Sequence, residues 1–119
     1  MDSTDNPAIA GYATGFIGHL LFHASDPAAR GWLERGREFY PGARSDLGDL
    51  LVAAGERDAG IAVWREGVAQ GEVASVVPLA NLLWDQGDRQ EAIDLLERFK
   101  DEDLFARENL EIMKDEHGD

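Results

Sequence analysis

One repeat constrains this chain more than any other feature. The stretch Leu47–Gly67 reads LGDLLVAAGERDAGIAVWREG, and the stretch from Leu79 reads LANLLWDQGDRQEAIDLLERF. They match at Leu47/Leu79, Leu50/Leu82, Leu51/Leu83, Gly55/Gly87, Arg57/Arg89 and Ile61/Ile93, always 32 positions apart. A large apolar residue also recurs at Trp64/Leu96, with Trp32 one step earlier. A period of this size marks an array of supersecondary units, none of which buries its apolar face alone. Each copy holds helical spacing, a Gly and a second helical pattern, so the unit is a helix–turn–helix hairpin. The expected fold is all-α: a stack of about three antiparallel hairpins closed by a C-terminal capping helix.

The 119 residues suit one domain, expected over 7–114, with a flexible leader at 1–6 and an acidic tail at 115–119. A chain of this length buries roughly two-thirds of its unfolded surface, enough for a core without staples. There is no cysteine, hence no disulfide and no thiolate zinc site, which fits a cytoplasmic location. The net charge of −13 repels nucleic acid and anionic lipid, so neither is expected as a partner, and it favours a basic or neutral one. The opening MDSTDNP is acidic and does not begin a secretory signal. Ala8–Ala24 is rich in small and apolar residues but holds two histidines and is too short for a membrane span.

Seven helices are expected in order. Asn6 caps the first and Pro7 starts it, running to about Ala24. Its Gly11, Gly15 and Gly18 each cost roughly 1 kcal/mol against Ala, which points to close backbone approach. Gly11 and Gly15 share a face that meets either helix two or a second copy of the chain. Asp26 caps helix two, Pro27–Phe39, with Trp32 and Leu33 inward; Tyr40-Pro41-Gly42 breaks it. Helix three, about Ala43–Ala54, sets Leu47, Leu50, Leu51 and Ala54 on one stripe. Gly55, Gly71 and Gly87 end helices three, four (Arg57–Gln70) and five (Val73–Gln86), and Pro78 either kinks the fifth or moves its start. Asp88 and Glu91 form a capping box on helix six, Arg89–Lys100. Helix seven, Asp103–Lys114, lies in a stretch with 12 acids against 5 bases over residues 88–119, the polar seal a stack needs.

These residues resemble tetratricopeptide repeats, with features of the related Sel1-like repeats. The family's hairpin pattern falls on Leu47-Gly48, Leu51, Gly55, Gly60, Trp64 and Gly67. The next copy gives Leu79-Ala80, Leu83, Gly87, Ala92 and Leu96, with Phe99 where a small residue is usual. An earlier copy gives Ile17-Gly18, Leu21, Ala28 and Trp32, its turn shorter by two residues. WREGVAQG, Trp64–Gly71, is similar to the Sel1-like signature. The resemblance covers about residues 12–100. It implies a right-handed stack whose first helices line a concave groove for a peptide or protein. The groove positions it implies are Tyr12, His19, Phe22 and His23; Ser45, Asp49 and Val52; and Val77, Asn81, Trp84 and Asp85. Relatives that clamp a C-terminal carboxylate use Lys, Arg and Asn there. Asp49 and Asp85 depart from that set and only Asn81 fits, which favours a basic or neutral ligand.

The expected function is therefore a non-catalytic interaction adaptor without cofactor or metal. The alternative is a homo-oligomeric scaffold joined through the Gly11/Gly15 face or a stack end. His19 and His23, four apart, share a helical face, which leaves a metal-dependent enzyme as the remote alternative, with Asp49 or Asp26 as third ligand. The pair lacks the Glu of a zinc-protease HExxH motif, and no GxSxG, phosphate loop or dinucleotide fingerprint is present.

Overall fold

The computed structural model describes residues 6–116; the rest of the expected leader and the end of the tail lie outside them. Among the described residues the structure is all-helical. Its helices are α1 (Pro7–His23), α2 (Ala29–Gly36), α3 (Ala43–Ala53), α4 (Arg57–Ala69), α5 (Val76–Asp85), α6 (Arg89–Phe99) and α7 (Leu104–Glu116). By contacts the chain divides into two compact units, Met1–Val63 and Trp64–Asp119.

In the first unit, Asn6 caps α1 by accepting a hydrogen bond from the Ala8 amide, and Pro7 holds the first turn. Gly11, Gly15 and Gly18 are buried. A Cβ added to Gly36 of α2 would stand 2.2 Å from the Gly15 nitrogen, and one on Gly18 would stand 2.8 Å from the Leu33 nitrogen. The two helices cross backbone to backbone, which only residues without a side chain permit. The small-residue face is thus covered by α2 and the turn after it, and the scaffold reading loses that surface. The core joins Ala29, Leu33, Ala43, Leu47, Leu51 and Val63, with Leu21, Phe22, Tyr40 and Leu50 packed against it. On the second hairpin, Gly60 of α4 lies against Val52 and the Gly48 carbonyl, the close approach its small residues imply.

Several boundaries differ from expectation. Helix two begins at Ala29, two residues past Pro27, because Asp26 turns the chain first by accepting from the Ala28 amide. It ends at Gly36 instead of Phe39, where the Gly36 carbonyl accepts from both the Phe39 and Tyr40 amides. Trp32 is half-buried with the Arg35 guanidinium over its ring, while Leu33 is fully buried. Ala54 follows α3 and is exposed.

One helix ending recurs. Gly55, Gly71 and Gly87 have φ of 84°, 77° and 98°. After Gly55 the Glu56 amide donates back to the Leu51 carbonyl; after Gly87 the Asp88 amide donates back to Leu83. This left-handed closure satisfies carbonyls that the helix leaves over. Ser25 does the same after α1, with φ of 56° and the Asp26 amide bonded to Leu21. Ser25, Gly55 and Gly87 each stand eight residues beyond Ile17, Leu47 and Leu79. The register does not carry through burial: Leu47 and Leu79 are buried, whereas Ile17 is 37% exposed. Nor does Ala28 fill the small position, being exposed at the start of α2, while Gly60 and Ala92 are buried.

In the second unit, a 3-10 turn at Val73–Ser75 leads into α5, so Pro78 occupies the first helical turn, where its missing N–H has no partner to lose. The core gathers Trp64, Val68, Val76, Leu79, Ala80, Leu83, Ala92, Leu96, Phe99, Leu110 and Met113. Asp88 makes no side-chain cap on α6; its carboxylate accepts from Gln86, and Glu91 accepts from Arg65 at 2.7 Å, so the capping box does not form. Glu97 pairs with Lys100 and Lys114, which ties α6 to α7. Of the apolar residues of α7, Leu110 and Met113 are buried, while Leu104, Phe105 and Ile112 are exposed.

Candidate functional site

Helix α1 has two apolar sides. Its glycines face α2. On the other side Ile9, Tyr12, Phe16 and Leu20 are each between 43% and 58% exposed, at spacings that align them along the helix. From Asn6 to Ser25 the sequence holds no Asp, Glu, Lys or Arg. A helix apolar all round is ordinarily enclosed, and a contiguous apolar face left in solvent marks an interaction surface.

At the edge of this face, α1 meets the first turn of α3. His19 Nδ1 lies 2.6 Å from Asp46 Oδ2. The His23 ring, one turn on, stands edge-on to His19 at 4.4 Å between centroids. Nitrogen and oxygen ligand atoms of His19, His23 and Asp46 lie within 4.8 Å of one another. Tyr40, from the turn before α3, places its ring 5.1 Å from Tyr12, 5.8 Å from Phe16 and 5.6 Å from His19. Of these rings Tyr40 packs beside the imidazole, and Tyr12 and Phe16 pack on Tyr40 in turn.

Asp46 is only 7% exposed. Burial pushes its carboxyl up, and the hydrogen bond and charge of His19 pull against that rise. Asp49 is raised by loss of hydration and then by the Asp46 charge. The Tyr40 hydroxyl is raised first by burial, then by Tyr12 and Asp46.

The structure thus brings together Tyr12, His19 and His23 of the expected groove residues and adds Tyr40 and Asp46. Phe22 packs on the core, though its ring also touches His23 at 5.2 Å. Val52 is half-buried and lies against Gly60. Ser45 is half-buried and Asp49 exposed on α3. Asp49 and Asp26 are not the third partner of the histidines: Asp46 is, because α3 points its first turn at α1. No spacing rule could have found a residue 27 positions from His19.

In the second unit, Val77 lines a cleft of about 420 Å³ with Val73, Ala74, Asp103, Phe105 and Asn109. Asn81 and Asp85 are exposed. Trp84 is half-buried, with the Arg89 guanidinium 4.7 Å above its ring. A second cleft, about 430 Å³ and bordered by the Arg65–Glu91 pair, contains none of the expected residues.

Compared with protein-family models, with curated proteins and with solved structures, the chain matches none.

Among the described residues no helix is long and apolar enough to cross a membrane.

Proposed function

We propose that this chain is a small non-catalytic interaction module of tetratricopeptide type, a right-handed stack of helical hairpins, and that it receives a basic amphipathic helix of a partner protein against the outer face of α1. The observation that carries this reading is the exposed stripe Ile9, Tyr12, Phe16 and Leu20 on a helix without charge. Apolar anchors at such spacing are what a helix laid along a surface uses. Charge selects the partner's flanks. A chain of net charge −13 draws Lys and Arg toward it, and an uncharged stripe places no carboxylate in the contact itself. The hairpin reading is supported by the equal register of the helix endings at Ser25, Gly55 and Gly87.

Two synthetic helical peptides with one apolar stripe, flanked by Lys or by Glu, test it. Titrated into isotopically labelled protein, the Lys-flanked peptide should shift the amide resonances of α1. That effect should weaken with salt and vanish in the Tyr12→Ser/Phe16→Ser variant, and the Glu-flanked peptide should do little. Undisturbed α1 resonances, or equal binding to the double variant, overturn the reading. A dimer seen by light scattering and dissolved by the same variant also overturns it, since a second copy then occupies the face.

A further inference from the structure

The geometry points to a binding site for one divalent transition-metal ion of the Zn²⁺ class, held by His19 and His23 of α1 and Asp46 of α3. Two histidines four apart place both imidazoles on one side of a helix, the arrangement by which helices present paired nitrogen ligands. A third ligand from a different element is what such a pair ordinarily lacks, and the packing of α1 on α3 supplies it: His19 Nδ1 and Asp46 Oδ2 are 2.6 Å apart. A tetrahedral ion with bonds of about 2 Å holds its ligand atoms about 3.3 Å apart. The three groups already lie within 4.8 Å of one another, so side-chain rotations of an ångström or so complete the set without moving a helix.

The surroundings fit the purpose. Asp46 is buried, and a buried carboxylate needs a positive partner close by. The Tyr40 ring packs on His19 and restricts its rotation. Farther back, the Gly15–Gly36 contact fixes α1. His23 is exposed, so a fourth position faces solvent and is open to water or to a side chain of a partner. Two imidazoles and one carboxylate suit Zn²⁺, Ni²⁺ or Cu²⁺, and they discriminate against Mg²⁺ and Ca²⁺, which prefer sites built wholly of oxygen. This site is independent of the peptide reading above and stands or falls by itself.

The test is calorimetric titration of the purified chain, freed of metal, with ZnCl₂, and with MgCl₂ as the control for loose binding to acidic side chains. One saturable Zn²⁺ site of micromolar affinity is expected, on the order of 10 μM or tighter. Thermal unfolding should shift upward with Zn²⁺ and not with Mg²⁺. His23→Ala removes an exposed ligand without disturbing the core and should weaken binding at least about tenfold; Asp46→Asn should do the same. Co²⁺ in place of Zn²⁺ should give a visible absorption band that His23→Ala abolishes. Absence of a saturable Zn²⁺ site, or unchanged affinity in His23→Ala, overturns the assignment.

Discussion

Gly15 and Gly36 touch through their backbones: a Cβ on Gly36 would lie 2.2 Å from the Gly15 nitrogen and 2.3 Å from its Cα. Backbone cannot swing aside as a long side chain can, so Gly36→Ala must push α1 from α2 and disturb Tyr40 and His19 with it. The expected loss is about 1–3 kcal/mol. Gly31, on the same helix, has nothing within 4 Å of a Cβ. Gly31→Ala should therefore stabilise by about 0.5–1 kcal/mol through helix propensity alone. Thermal unfolding followed by circular dichroism separates the two: Tm falls for one and rises for the other.

The Ser25 backbone pays for a left-handed conformation that Gly55 and Gly87 adopt freely. Ser25→Gly should therefore raise stability by up to about 1 kcal/mol, since a residue with a Cβ is penalised there by about 1–2 kcal/mol. Gly55→Ala should lose a similar amount. Urea midpoints at constant slope measure both.

Leu47 and Leu83 are fully buried. Truncation of either to Ala should cost about 2–5 kcal/mol. Ile17, at the repeat position of Leu47, is 37% exposed. Ile17→Ala should cost well under half of what Leu47→Ala does. Equal losses would mean that Ile17 is enclosed as Leu47 is.

Arg30 donates to both oxygens of Glu56 at 2.7 and 3.2 Å, and this holds the Glu56 carboxyl below its ordinary value. A carboxylate depressed in the folded state contributes stability above its unfolded value and loses it as pH falls through the folded one. The destabilisation caused by Glu56→Gln should therefore be greatest near neutral pH and disappear on acidification below the carboxylate range. The pair is exposed, so the effect is small and should shrink further in salt. Comparing Tm of the two proteins across pH and ionic strength checks each point.

Local signals carried most of the fold. Gly55, Gly71 and Gly87 ended helices because only their backbone geometry was at stake, and Leu47, Leu79 and Leu83 lined the core because helical spacing alone selects them. Ser25 ends α1 in the same conformation without the signal, because its residue type does not disclose a positive φ. The capping box at Asp88 failed because Gln86 and Arg65 compete for its two carboxylates. The candidate site was half legible: His19 and His23 are neighbours along one helix, but Asp46 reaches them only through the packing of α3 on α1. Tyr40 read as part of a helix-breaking turn, which it is, and nothing in the sequence tells where a turn aims its ring.

The three tryptophans are unevenly placed. Trp32, beneath Arg35, belongs to the first unit; Trp64, almost wholly enclosed, and Trp84, beneath Arg89, belong to the second. Each half of the chain therefore carries its own fluorophore. A protein keeping Trp32 alone would glow with the state of one half, and a protein lacking only Trp32 with the state of the other, so optical melting could watch them come apart separately or together without any added dye.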